Sequence, residues 1–166
     1  MQKTLLIGFD LSLYQTGIAI SYLEDNIGKK LEFFRVIFDD ESNKFKKHKP
    51  VQIQNINDVV YQRPKNISVD DLVFENVEDD HTHFQCESSL KEIICEKNIT
   101  LIVKNAIEKY KPDLMICCIE NYVMPSFGGK TSLKNVGPLI SLQSHVRKSL
   151  ILLGITNNIK LKLLLK

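Results

Sequence analysis

The stretch LLIGFDLSLYQTGIAISYL, residues 5–23, restricts the possible folds more than any other part of the chain. An apolar run, Leu5 to Phe9, leads straight into Asp10. A short polar segment follows, and then a second apolar run from Gly17 to Leu23. Two such runs joined by so short a connection predict a pair of antiparallel strands. Burying a lone carboxylate costs several kcal/mol. Asp10 is therefore expected either at the solvent end of its strand or partnered by a cation.

The rest of the chain extends that start. LEFFRVIF (31–38) has strand composition and completes a three-strand meander. From about residue 40 to 85 the pattern dissolves into polar sequence, read as an insertion with a short strand near Val51, Ile53 and Ile56 and another around Leu72–Phe74. Ser89 with Glu92 has the spacing of a capping box. Leu90, Ile93, Ile94, Leu101, Ile102 and Ala106 follow at helical spacing. Lys111-Pro112 ends that helix, and DLMICCI (113–119) reads as a buried strand closed by Glu120. KNVGPLISLQSHVRKSLILLG is a second helix, with Pro138 in its first turn and Gly154 at its exit. IKLKLLL is a last strand. The order β-β-β, insertion, α, β, α, β predicts a mixed sheet flanked by helices, an α/β fold in one domain over residues 1–166.

Composition agrees with one soluble domain: 166 residues, 43% hydrophobic and 25% charged. No apolar run reaches the roughly 18 residues needed to cross a bilayer. Lys3 ahead of TLLIGF looks like a leader, but Asp10 interrupts the apolar stretch. Of the four cysteines, Cys117 and Cys118 are adjacent in a strand, point to opposite faces and do not pair with each other. These features predict an intracellular, cytoplasmic protein with no membrane partner. Residues 1–100 hold 12 Lys and Arg against 17 Asp and Glu, whereas residues 101–166 hold 10 against 3. A basic last third fits a polyanionic partner such as nucleic acid, and equally a solvated lysine-bearing surface.

Asp10 and Glu120 share one position, the end of an apolar strand. If the two strands are parallel neighbours, both carboxylates emerge at one edge of the sheet. Like charges so placed repel unless a cation neutralises them. Hard oxygen donors of this kind suit Mg²⁺, with Mn²⁺ as a substitute. A centre of this type can activate water against a phosphodiester. The alternative reading is that each acid marks the wet end of its strand.

IGFDLSLYQTGIAI resembles the first motif of the RuvC-type Holliday-junction resolvases, within the RNase H-like (retroviral integrase-like) superfamily. KYKPDLMICCIENYVM resembles the second motif, and KTSLKNVGPLISLQSHVRKSLI resembles the helix that follows it. Together these segments cover about half of the chain. The resemblance implies an RNase H-like fold and a Mg²⁺-dependent endonuclease. It also implies a homodimer that resolves branched DNA and leaves a 5′-phosphate and a 3′-hydroxyl. Asp10 and Glu120 would then be the catalytic, metal-binding carboxylates.

The family pattern carries one or two further acids on a C-terminal helix, and no Asp or Glu follows Glu120 in this sequence. Three expectations stay open: the chain is truncated, the protein is degenerate, or another acid such as Asp79 or Asp80 substitutes. Without a substitute the 166-residue chain is expected to bind junctions and cut them poorly. A non-catalytic nucleic-acid-binding or scaffold protein of the same fold is the rival reading. Nucleotide-phosphate binding of the actin and Hsp70 type is a more distant one, because that architecture needs a second lobe.

Weaker signals concern DNA contact. GGKTS (128–132) lacks the first glycine of a P-loop, since Met124 stands there. Lys130, Thr131, Ser132 and Lys134 still suit phosphate contact. Tyr122 and Phe127 could stack on unpaired bases. Arg147 and Lys148, on the second helix, suit the DNA backbone. His81, His83, Cys86 and Cys95 match no established zinc spacing.

Overall fold

The computed structural model describes residues 1–38, 56–61, 80–120 and 133–165; for 80–84 and 133–135 it describes the backbone alone. Six strands and two helices form the described fold. They are β1 (Lys3–Asp10), β2 (Gln15–Glu24), β3 (Ile27–Phe38), β4 (Ile56–Tyr61), α1 (Asp80–Tyr110), β5 (Leu114–Ile119), α2 (Leu133–Thr156) and β6 (Lys160–Leu165). The sheet runs in the order β4-β3-β2-β1-β5-β6. β1, β2 and β3 form the expected antiparallel meander, while β5, β6 and β4 each join in parallel. This is an α/β arrangement, a mixed sheet with packed helices.

Alternation sets the two faces of the sheet. Leu5, Ile7 and Phe9 of β1, Ile18 and Ile20 of β2, Val36 of β3, and Met115, Cys117 and Ile119 of β5 point one way and are buried. They meet Cys95, Ile99, Val103, Ala106 and Ile107 of α1 and Leu142, Val146 and Leu150 of α2 in one core. Both helices thus cover the same face. Across the other face Leu6, Phe33 and Leu164 remain 37%, 39% and 54% exposed, so it stays open to ligands.

Local chemistry explains the turns and the register. Asp25 and Asn26 both have positive φ, 48° and 66°, and make the two-residue turn between β2 and β3. Helix α1 ends on Lys111 in the left-handed region, with φ of 46°, and its amide donates to the Ile107 carbonyl. Pro112 prevents continuation. Asp113 then fixes three strands: its carboxylate accepts from the Lys3 amide at 2.9 Å, its amide donates to the Lys3 carbonyl, and its carbonyl accepts from the Lys160 amide. The Lys-Pro-Asp segment thus sets the parallel register of β1, β5 and β6.

Several details differ from the sequence expectation. α1 begins at Asp80, so Ser89 lies well inside the helix and caps nothing; instead Ser88 donates to Glu92 at 3.3 Å. Ile93 and Leu101 are 55% and 52% exposed, because the buried stripe runs through Leu90, Cys95, Ile99, Ile102 and Val103. A strand at Ile56–Tyr61 extends the sheet beside β3, and the expected positions Val51 and Ile53 lie outside the described residues. Pro138 is the sixth residue of α2, beyond its first turn. Gly154 is still helical. A Cβ there would lie 3.4 Å from the Ile159 carbonyl oxygen and from Leu161 Cβ, so this glycine serves close packing on β6. Asn158, with φ of 52°, takes the left-handed position after the helix. The stretches 39–55, 62–79 and 121–132 lie outside the described residues, and with them the strand expected at Leu72–Phe74.

The end of α1 is tied to β3 through Glu32. Its carboxylate accepts from Lys109 Nζ and from the Tyr110 hydroxyl, each at 2.8 Å, and Tyr110 stacks on Tyr22 at 4.6 Å. Partial burial alone would raise the Glu32 carboxyl, but the bonds from Lys109 and Tyr110 outweigh it and hold its pKa below the usual value. Its stabilising contribution is therefore present above the unfolded value of about 4.3 and is lost as pH falls through the lower folded value. Glu32→Gln is expected to cost about 1–3 kcal/mol at pH 7. The gap from wild type should narrow as pH falls below the usual glutamate value, as checked by urea unfolding across pH.

Candidate active site

The register that pairs Phe9 with Ile119 brings Asp10 and Glu120 out side by side, on adjacent parallel strands at one edge of the sheet. Strand spacing puts their backbones about 5 Å apart. Both residues are exposed on the open face, and both line one groove of about 780 Å³ with Gly8, Gly17, Phe33, Arg35 and Cys118. Among the described residues no hydrogen-bond donor or cation meets either carboxylate. Two unneutralised like charges this close form a ready seat for a hard cation.

Three features hold these acids in place. The β1–β2 turn is braced by Thr16, which is fully buried. Its hydroxyl donates to the Ser12 carbonyl at 2.7 Å and accepts from the Ser12 amide at 3.0 Å. Cys95 of α1 packs its Sγ 3.6 Å from the same hydroxyl; burial pushes the Cys95 thiol pKa up, which keeps it neutral there. Gly17 lies directly opposite Asp10, and a Cβ there would sit 3.7 Å from Asp10 Cβ, so glycine leaves the carboxylate's flank open. Gln143 of α2 donates to the Glu120 carbonyl at 2.7 Å and anchors the end of β5. Thr16→Val keeps the shape and removes both turn bonds. It is expected to lower stability by about 1–3 kcal/mol in a thermal melt and to weaken divalent-ion binding several-fold.

The structure brings together only part of the expected set. Asp10 and Glu120 meet. Arg147 is half-buried and Lys148 exposed on α2, which covers the opposite face, so neither lines the groove. Tyr122, Phe127, Lys130, Thr131, Ser132 and Asp79 lie outside the described residues, and of Lys134 and Asp80 only the backbone is described. Among the described residues no three His, Cys, Asp or Glu side chains gather at one point, so Asp10 and Glu120 have no third such partner there. Cys86 is half-buried, and Cys95 is engaged with the turn. All four cysteines are free. No helix among the described residues is long and apolar enough to cross a membrane.

Sequence reasoning overlooked Gln143, Arg35 and Asp58. A polar residue 2% exposed beside Leu142, in the apolar stripe of α2, was the signal for the first. A lone arginine within the apolar run FFRVIF was the signal for the second.

Neither a family model nor a curated protein matches the chain. Among solved structures the chain is similar to RuvC of Thermus thermophilus, at 8% sequence identity and a TM-score of 0.39. The match covers 97% of this chain and 63% of that one, so the chain spans less than two thirds of that protein's length. A likeness at this level leaves the reaction to be argued from the site itself.

Proposed function

We propose that the protein is a Mg²⁺-dependent endonuclease of branched DNA, of the Holliday-junction-resolving type, working as a homodimer. The observation that carries this reading is the Asp10–Glu120 pair: two exposed carboxylates, unpaired among the described residues, on adjacent parallel strands at the rim of an open groove. Their all-oxygen donor set fits Mg²⁺ or Mn²⁺. A cation held there would act as a Lewis acid on a phosphodiester oxygen and stabilise charge in the transition state. Asp10 and Glu120 hold that charge in place, Thr16 and Gln143 fix their backbones, and Gly17 keeps the approach clear. The sequence motifs that resemble those of the resolvases supply the substrate class. The basic balance of residues 101–166 supports a polyanionic partner.

The test is incubation of the chain with an end-labelled four-way junction and with the matching linear duplex, with and without Mg²⁺. Symmetric nicks in the junction, dependent on Mg²⁺ and absent from the duplex, are expected. Cleavage of both substrates alike would reduce the reading to a general nuclease. A second reading is favoured by the lack of a third carboxylate among the described residues: a junction-binding protein with weakened catalysis. Tight junction binding without nicks would select it.

A further inference from the structure

One row of the open face runs across four strands. β1 and β2 set Asp10 opposite Gly17, β2 and β3 set Gly17 opposite Arg35, and β3 and β4 set Arg35 opposite Asp58. Arg35 therefore lies two strands from Asp10, about 10 Å between backbones. The only residue between them is a glycine, whose missing side chain leaves the floor of the groove clear.

Arg35 is held rather than floating. Its Nε donates to Asp58 Oδ1 at 2.8 Å and its Nη2 to Asp58 Oδ2 at 2.6 Å, a two-point pair. Its side chain is only 17% exposed, although it lines a groove open to solvent. Of the five N–H groups of a guanidinium, this pair uses two. The Nη1 edge has no partner among the described residues. A fixed arginine with a free edge, in a groove walled mostly by apolar atoms, is a fork for a phosphate.

We propose that Arg35 is the phosphate-binding subsite of the groove, and that Asp58 is the anion with which a phosphate competes for its charge. It would take a backbone phosphate of the strand that, a few nucleotides away, presents a phosphate to Asp10 and Glu120. This assignment rests on the nuclease reading above. About 10 Å between backbones is about three steps at an axial rise of about 3.4 Å per nucleotide, so the two ends of the row meet phosphates a few nucleotides apart on one strand. A strand laid across Gly17 then presents a phosphate to each end of the row. A cation at one end and a guanidinium at the other fix the direction in which the strand crosses the sheet.

The pair could instead be an ordinary cross-strand tie, and the two readings differ in sign. Both Arg35→Gln and Asp58→Asn break the same ion pair. If the pair only supports the sheet, the two variants lose alike. If Arg35 binds phosphate, removing its charge weakens DNA binding, whereas removing Asp58 leaves the cation and deletes a competing anion. The experiment measures binding of a labelled four-way junction from 50 to 200 mM KCl, with Ca²⁺ present, for wild type and both variants. Arg35→Gln is expected to weaken binding roughly tenfold at low salt. It should also lower the slope of log affinity against log salt by about 0.9, one phosphate. Asp58→Asn is expected to bind at least as tightly as wild type. An unchanged slope in Arg35→Gln, or weaker binding by Asp58→Asn, would overturn the assignment. A wild-type chain that binds no junction would overturn the nuclease reading and this subsite with it. A wild type that binds while Arg35→Gln matches it removes the subsite alone.

Discussion

Replacing Asp10 with Asn is expected to lower Mg²⁺-dependent junction cleavage by about a thousandfold or more, a barrier increase of roughly 4 kcal/mol. Glu120→Gln should do the same. In the proposed site the two acids together make the cation seat, so either change would halve its charge. The same substitutions should not cost stability. Both carboxylates are exposed and without donors among the described residues, and like charges on neighbouring strands repel. Without divalent ions, the variants should therefore melt at or slightly above the wild-type temperature. A loss of cleavage together with a large loss of stability would mean that the acids support the fold instead. The paired readout, nicking and thermal melt on the same preparations, separates the two.

The second large effect lies behind the site. Leu142→Ala is expected to destabilise the protein by about 2–5 kcal/mol, because Leu142 is fully buried where α2 meets the sheet core. For a chain of this size that corresponds to a fall of roughly 5–20 °C in melting temperature. The neighbouring Gln143 holds the Glu120 carbonyl, so a shifted α2 should also move the end of β5. Denaturant unfolding should show a lower midpoint with an unchanged slope. Cleavage measured well below the melting temperature should fall as well. A midpoint shift under 1 kcal/mol would show that α2 is packed less tightly than its burial indicates.

Much of this architecture was legible because it rests on local patterning. The apolar runs around LLIGF and GIAIS, joined by a short connection, marked the first strand pair, and the acid at the end of an apolar run marked Asp10 and Glu120 as candidates. The Lys-Pro-Asp segment marked the end of α1 correctly, and the structure adds what Asp113 does for register. The start of α1 was missed because residues 80–88 carry no apolar stripe, and a serine followed by a glutamate imitates a cap. Ile93 and Leu101 misled because helical spacing marks two possible faces when apolar residues occur on both. Gly154 looked like a terminator, whereas its role is packing against Leu161, a contact between elements that sequence spacing does not display. The pairing of Arg35 with Asp58 was hidden for the same reason. Their pairing depends on β4, which comes from the insertion and returns to the sheet edge in parallel register.

The central claim is that Asp10 and Glu120 jointly hold a divalent cation. Titration of Mn²⁺ into the purified chain, followed by electron paramagnetic resonance of the free ion, measures this without any nucleic acid. One site is expected in the wild-type protein, displaced by excess Mg²⁺, and lost in both Asp10→Asn and Glu120→Gln. Mn²⁺ uptake that is the same in wild type and in both variants would contradict it.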